Sequence, residues 1–236
     1  MPSFNNQRVF LIDGTTFALA PVAELQEEYP PASNQHGQGV WPIAYVVLAH
    51  ELSSGAALPA EIGAMYGDEA ISETRLAQSL MKRLPPKSIV MADAGYGIFS
   101  TAYHAQLNGH NFVLRLKKDR FNRIRKSAEL VSSTSGSKSY RVDWSPSPKE
   151  RKTNPDLPQD CVISATIHEL KIGNESLYLA EDLEASPQQL RDLYWKRNNI
   201  EVDIRNIKTV IARKRSEPSR RKCFSRSSPF PWWRTT

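Results

Sequence analysis

The chain has few of the residues that define several common protein classes. Its 236 residues include two cysteines, Cys161 and Cys223, which lie far apart without a CxxC spacing or a nearby pair of histidines. This pattern argues against a disulfide framework or a zinc site and fits a reducing compartment. No apolar run reaches the ~18 residues of a membrane span, and the N-terminus has no signal-peptide pattern. We therefore expect a cytoplasmic protein without a membrane partner.

Positive charge is abundant and unevenly distributed. The formal net charge is +6, and seven of the twelve residues from Arg115 to Lys126 are Lys or Arg. Such a charge favours a polyanionic partner. Two interpretations of this basic segment remain open. It is either a solvated loop or a surface on which Lys117, Lys118 and Arg120 follow a phosphate backbone.

Two short apolar runs each contain a carboxylate with glycine close behind it. Residues 8–17 read RVFLIDGTTF, with Asp13 before Gly14, and residues 87–93 read KSIVMAD, with Asp93 before Ala94-Gly95. Both runs predict a buried strand that ends at its Asp. Ligands gather beyond the strand ends of open α/β sheets, so the two carboxylates are candidates for a joint site. The alternative is a pair of unrelated turn residues.

The remaining pattern predicts an α/β fold. Strand-like runs and helical segments alternate up to residue 116, and the segment after them is rich in strands. The predicted strands are 40–52, 57–65 and 111–116, and the predicted helices are 71–84 and 99–107. Gly173-Asn174 separates two strand-like runs and predicts a hairpin turn. We interpret residues 118–184 as a β-rich insertion.

A long helix is predicted from Ser186 to about Ile211. Ser186 suits the cap position and Pro187 suits the first helical position. One arc of this helix is apolar, and a polar arc lies beside it rather than opposite to it. The polar arc holds Tyr194, Arg197, Glu201 and Lys208, with Arg205 at its edge. Polar groups at the border of an apolar stripe are well placed to line a cleft.

Asp13, Asp93 and Glu201 together suit a hard, oxygen-seeking cation. Three carboxylates can hold two Mg²⁺ ions ~3.5–4 Å apart for an in-line displacement at a phosphodiester. Arg197 lies one helical turn, ~6 Å, before Glu201 and is within reach of a phosphate next to the scissile one. Lys208 and Tyr194 lie ~10 Å away on either side and suit contacts with neighbouring phosphates or bases.

The spacing Tyr194-x2-Arg197-x3-Glu201-x6-Lys208 resembles the Y-R-E-K signature of the DDE transposases of bacterial insertion sequence family 4. The resemblance covers about residues 8–211. It implies an RNase H-like catalytic core, which is a mixed central sheet flanked by helices, with a β-strand insertion before the helix of the Glu. The chain then divides into core residues 1–117, an insertion at 118–184, the closing helix at 185–212 and a basic tail at 213–236.

The two Asp motifs extend the same resemblance. Asp13 in LIDGTTF is similar to the family's first Asp, and Asp93 in MADAGYG is similar to the second. The resemblance implies that these two residues and Glu201 carry out Mg²⁺-dependent cleavage and transfer of transposon ends, with Mn²⁺ able to substitute. It also implies a dimer that bridges two DNA ends at the bacterial nucleoid. The expected DNA contacts are Tyr194, Arg197, Lys208, Arg205, Lys117, Lys118 and Arg120.

Three departures from the family pattern shape the functional hypotheses. Ala94 replaces the basic residue usual after the second Asp, and the first Asp lies only thirteen residues into the chain. The helical segment expected after Lys208 is replaced by a basic tail, which we interpret either as a nucleic-acid-binding tail or as the product of a frameshift near Ala212. The chain is therefore predicted to be an active DDE transposase domain or, alternatively, an inactive remnant that only binds DNA.

Overall fold

The computed structural model describes residues 4–35 and 37–197. Within these residues there are ten β-strands: β1 Val9–Ala18, β2 Pro31–Asn34, β3 Gly37–Glu51, β4 Glu61–Ala64, β5 Ile89–Ala92, β6 Asn111–Arg115, β7 Glu129–Ser133, β8 Ser137–Trp144, β9 Ile163–Ile172 and β10 Glu175–Glu181. The same residues form six α-helices: α1 Ala23–Glu28, α2 Glu73–Met81, α3 Phe99–Leu107, α4 Lys118–Ile124, α5 Pro148–Thr153 and α6 Pro187–Trp195. None of these helices is both long and apolar enough to cross a membrane.

The strands form one mixed sheet. Its order is β2-β3-β1-β5-β6-β10-β9-β8-β7, and β4 pairs with β3 beside this path. The pairs β1–β5 and β5–β6 are parallel, whereas the other strand pairs of the described chain are antiparallel. The protein is therefore an α/β protein with a mixed sheet flanked by helices, as predicted.

The two faces of the central strands are covered by different helices. Phe10 and Ile12 of β1 belong to a buried cluster that includes residues of α2 and α3. Val9 and Leu11 of the same strand pack instead with residues of α6. Because successive side chains of a strand point to opposite faces, β1 is apolar on both sides and forms the centre of the core.

Local sequence signals explain several element boundaries. Ser72 caps α2, where its side chain accepts a hydrogen bond from the backbone N–H of Arg75. Ser186 caps α6 in a capping box with Gln189, and Pro187 occupies the first turn. The predicted hairpin at Gly173-Asn174 is confirmed, since Ile172 and Glu175 are register partners on either side of it.

The position of Asp13 differs from the prediction. Asp13 lies within β1 and not at its end, because antiparallel pairing with β3 continues as far as Ala18 and Ile43. The parallel pairing with β5, by contrast, stops at Ile12 and Ala92. Asp13 is thus the first residue of β1 beyond the parallel ladder.

The basic segment is folded and not a solvated loop. It continues from the end of β6 into α4 and a short 3-10 turn at Arg125–Ser127. Phe121 and Ile124 are buried at helical spacing and pack this helix against the core, while Arg123 between them is exposed. Because these two buried residues lie three positions apart, the basic segment can form a helix with one apolar side.

Strands β7 to β10 continue the sheet beyond β6 as an antiparallel set. Register pairs Leu179–Arg115 and Glu181–Val113 join β10 directly to β6. The β-rich character predicted for this part of the chain is therefore present. The four-part division at residues 1–117, 118–184, 185–212 and 213–236 stays a prediction, and its last part lies outside the described residues.

Candidate active site

The candidate site begins where the parallel pairing of β1 and β5 ends. Ile12 and Ala92 are the last register partners of that pair, and Asp13 and Asp93 follow them directly. Neighbouring strands lie ~4.8 Å apart, so equivalent positions in a parallel register bring the two carboxylates to the same edge. The structure therefore places two of the three predicted site residues next to each other.

Asp13 is half-buried, and its surroundings disfavour the ionised form of its carboxyl group. Its Oδ1 accepts a hydrogen bond of 2.8 Å from the backbone N–H of Gly14. Burial raises the pKa of the Asp13 carboxyl, the hydrogen bond from Gly14 opposes that rise, and the negative charge of Asp93 adds to it. The guanidinium of Arg197 acts in the opposite direction. A further cation at this carboxylate would favour its ionised form.

Asp93 starts a tight loop that ends at the first turn of α3. Its Oδ1 accepts hydrogen bonds from the backbone N–H groups of Gly95 at 2.7 Å and Tyr96 at 3.4 Å. Its Oδ2 lies 3.9 Å from Nη2 of Arg197. One oxygen of the carboxylate is thus fixed by the loop backbone, and the other is directed to the side from which Arg197 approaches.

Gly97 holds this loop against β6. A Cβ at position 97 would lie 1.9 Å from the backbone oxygen of Arg115, so no side chain fits there without moving the backbone. The carbonyl of Gly97 also accepts a hydrogen bond of 2.6 Å from Nη1 of Arg120. The loop that carries Asp93 is therefore packed against β6 and fastened to α4.

Arg197 and Tyr194 form a buried pair near Asp93. Nη1 of Arg197 donates to the hydroxyl of Tyr194 over 3.3 Å, and both residues are less than 10% exposed. Burial raises the pKa of the Tyr194 phenol, while the positive charges of Arg197 and Arg115 oppose that rise. The structure brings Arg197 to the candidate site, and a role of Tyr194 in DNA contact stays a prediction.

A further carboxylate, Glu73, lies next to this site and was missed by sequence reasoning. It is the first residue of α2, and its Oε1 accepts a hydrogen bond of 2.8 Å from the hydroxyl of Tyr96. A Cβ at Gly14 would lie 1.9 Å from the same oxygen. An acidic residue in the first turn of a helix normally signals favourable helix-dipole electrostatics, so the sequence alone does not mark this one as special.

The predicted basic contacts differ in their surroundings. Lys117 and Lys118 are exposed at the start of α4, whereas Arg120 is half-buried and donates to Gly97. Burial lowers the pKa of Arg120. The first two side chains are accessible to a phosphate backbone, while one amino group of the third already has a partner inside the protein.

Three predicted site residues, Glu201, Arg205 and Lys208, lie outside the described residues, as does most of the predicted helix beyond Trp195. Within residues 4–35 and 37–197 no three His, Cys, Asp or Glu side chains are grouped closely enough to hold a metal ion. The described part of the site therefore consists of a carboxylate pair, an arginine beside it and a nearby Tyr–Glu hydrogen bond.

Acidic oxygens at the end of a parallel ladder, with a buried arginine beside them, define a candidate site for a divalent cation and an anionic substrate. A family profile described as the transposase DDE domain matches residues 5–222. The chain belongs to this family of DDE transposase domains.

Comparisons with individual proteins give less information than the family profile. A search of curated proteins found no match. Among solved structures, the piggyBac transposase in a synaptic complex with hairpin DNA is similar over 77% of this chain, with 9% identity and a TM-score of 0.35. The match covers 35% of that transposase chain, so this chain spans about a third of its length.

Proposed function

We propose that this chain is the catalytic domain of a transposase that cleaves DNA at transposon ends and transfers the cut strand, using Asp13, Asp93 and Glu201 with Mg²⁺. The observation that carries the proposal is the juxtaposition of Asp13 and Asp93 immediately beyond the last parallel register pair, Ile12 and Ala92. Membership of the DDE transposase domain family supports the same activity. The spacing from Tyr194 to Lys208 further supports assignment to insertion sequence family 4 and to an RNase H-like core.

The side chains present fit a hard divalent cation. All the proposed ligands are carboxylate oxygens, which Mg²⁺ and Mn²⁺ prefer. Burial and the charge of Asp93 raise the pKa of Asp13, so a bound cation would favour the ionised form of Asp13. When bound, two such ions supply activation of a water or a 3′-hydroxyl and stabilisation of the leaving oxygen.

The protein's own groups then position the substrate and offset its charge. Arg197 lies 3.9 Å from Asp93 and is buried, so its positive charge is poorly screened by water. A phosphate that approaches Asp93 would meet this guanidinium. We assign to Arg197 the role of holding the phosphate next to the scissile one, where it offsets negative charge that develops at phosphorus.

Exposed basic residues extend the proposed DNA path. Lys117 and Lys118 lie at the start of α4, and Arg120 of the same helix donates a hydrogen bond to Gly97 in the Asp93 loop. This connection between α4 and the Asp93 loop supports a DNA path that includes the two exposed lysines. We propose that they hold the DNA backbone, together with Arg205 and Lys208 from beyond the described residues. A dimer that bridges two ends at the bacterial nucleoid is part of the same proposal.

A cleavage assay tests this function. Purified chain is mixed with DNA that carries the ends flanking its gene, in Mg²⁺ or Mn²⁺, and nicking is followed on a gel. We expect Asp13→Asn, Asp93→Asn and Glu201→Gln each to lower the rate at least about 100-fold, because loss of even a residue that only orients a metal ligand costs 10–100-fold. The exposed Asp68→Asn is the matched control.

The outcome separates the two functional hypotheses. Cleavage by the wild type and by Asp68→Asn, but not by the three site variants, supports the transposase. Absence of nicking by the wild type in both metals, with DNA binding retained, contradicts catalysis and leaves the inactive DNA-binding remnant. Salt-dependent binding alone does not discriminate, because Lys and Arg contacts with phosphate produce it in both cases.

A further inference from the structure

The missing side chain of Gly14 creates a space that two distant residues fill. Phe10 and Ile12 of β1 face the cluster that includes α2, and Gly14 is the next position on the same face. An added Cβ there would lie 1.9 Å from Oε1 of Glu73 and 2.7 Å from the hydroxyl oxygen of Tyr96. The Glu73 carboxylate and the Tyr96 hydroxyl therefore lie directly against the backbone of Gly14, the residue after Asp13.

Tyr96 connects this contact to Asp93. Its hydroxyl donates to Glu73 over 2.8 Å, and its backbone N–H donates to the backbone oxygen of Asp93 over 3.2 Å. The side chain is 3% exposed, and burial together with the charge of Glu73 raises the pKa of its phenol. The Tyr96 hydroxyl is the donor in this bond, because a carboxylate oxygen accepts.

We propose that Tyr96 and Glu73 are positioning residues that fix the Asp93 loop against β1 and so set how Asp93 faces Asp13. This inference rests on the proposed function, in which the two aspartates share divalent cations. Glu73 reaches Gly14 from α2, while Tyr96 reaches it from the Asp93 loop. The two residues together join the element that carries one aspartate to the loop that carries the other.

A direct ligand role for Glu73 is the main alternative. Its Oε1 is already bonded to Tyr96, and no described group of three carboxylates is close enough to share a cation. Asp13 follows Leu11 on the α6 face of β1, whereas Gly14 and the Glu73 carboxylate lie on the α2 face. These observations favour support of the site over direct coordination.

Amide hydrogen exchange of the loop is the first test, because it needs neither metal nor DNA. Tyr96→Phe removes only the hydroxyl, and we expect exchange in peptides covering residues 93–98 to rise about tenfold, since a hydrogen bond to a charged acceptor is lost. Tyr103→Phe is the matched control, because Tyr103 lies in α3, outside the Asp93 loop, and its ring stacks on Phe99. Equal exchange in the two variants would overturn the proposal.

Mn²⁺ affinity, measured by calorimetry, is the second test. We expect Tyr96→Phe and Glu73→Ala to weaken binding about tenfold, the lower end of the effect of residues that orient metal ligands. Glu73→Gln keeps an oxygen that can accept from Tyr96 and should restore binding to near the wild-type value. Binding by Glu73→Gln as weak as by Asp93→Asn would overturn a positioning role and make Glu73 a ligand.

The two tests distinguish failure of this inference from failure of the proposed function. Wild-type chain that binds no Mn²⁺ and behaves like Asp93→Asn contradicts the proposed function, and the role of Tyr96 at a metal site with it. If the wild type binds Mn²⁺ and Tyr96→Phe binds it equally well, only the positioning role of Tyr96 is contradicted. Weaker binding combined with faster loop exchange in Tyr96→Phe, but not in Tyr103→Phe, supports both.

Discussion

Gly14→Ala is the smallest change that tests the packing beside Asp13. The added methyl group would lie 1.9 Å from Oε1 of Glu73 and 2.7 Å from the hydroxyl oxygen of Tyr96. Neither distance is compatible with van der Waals contact, so Glu73 must move. Gly14 lies in the extended β1 strand, and an alanine is acceptable to that backbone. The effect is therefore steric.

Two opposing contributions determine the expected size of the effect. Forcing an extra carbon into a packed site costs about 1–3 kcal/mol. Replacing glycine by alanine in an acceptable conformation stabilises the folded protein by about 0.4–1 kcal/mol, because the unfolded chain has less conformational entropy. We expect a net destabilisation of about 1–2 kcal/mol, which corresponds to a fall in Tm of about 2–8 °C for a chain of this size.

The assay is thermal unfolding of the full chain, with Gly136→Ala as the matched control. No atom lies within 4 Å of a Cβ at position 136, and the backbone there is outside the left-handed region. The control should therefore unfold at or slightly above the wild-type temperature. Gly14→Ala combined with Glu73→Ala should cost less than the sum of the two changes, because the clash with the carboxylate is gone. A Tm of Gly14→Ala equal to that of the control would refute the packing described here.

Two further predictions concern buried polar groups. Burial raises the folded-state pKa of Asp13, so its contribution to stability is present below the unfolded-state pKa and is lost as pH rises through the folded-state value. Asp13→Asn should therefore raise the Tm of the metal-free chain at neutral pH, and this gain in Tm should disappear in acid. A gain in Tm that does not depend on pH would contradict the prediction. His168 is buried and links the Ser139 hydroxyl to the Glu181 carboxylate, with both contacts at 2.9 Å. His168→Leu should cost about 3 kcal/mol in urea unfolding, because the Ser139 hydroxyl and the Glu181 carboxylate each lose a partner. Adding Ser139→Ala should recover part of this loss, whereas no recovery would show that lost packing dominates.

Elements that are defined by local chemistry could be predicted closely from the sequence. The predicted helix at residues 99–107 coincides with α3, and the predicted turn at Gly173-Asn174 joins β9 and β10 as a two-residue hairpin. In both cases residues next to one another in the chain determine the structure. The mixed α/β class followed from the alternation of such elements.

Features that depend on long-range pairing could not be predicted in this way. The sequence predicts that β1 ends at Asp13, but pairing with β3 extends the strand to Ala18. The predicted strand at residues 40–52 in fact begins at Gly37, because the residues before Ile43 have β2 and not β1 as their partner. Strand partners on both sides decide such boundaries, and one sequence does not reveal them.

In the candidate site, too, features with a local sequence pattern could be predicted and features that depend on long-range packing could not. The positions of Asp13 and Asp93 followed from two similar local patterns, and the structure brings these residues together. Glu73 had no such pattern, because its contact with Gly14 exists only after α2 packs on β1. Likewise, the bond from Arg120 to Gly97 gives a half-buried role to a side chain that resembles its exposed basic neighbours in the sequence.

We propose that Asp13 and Asp93 hold a divalent cation between them, and anomalous diffraction from crystals grown with Mn²⁺ tests this proposal most directly. We expect a manganese peak in contact with the carboxylates of both residues. The peak should vanish in Asp93→Asn. Manganese bound elsewhere in the wild-type protein, with none between these two carboxylates, would contradict this proposal.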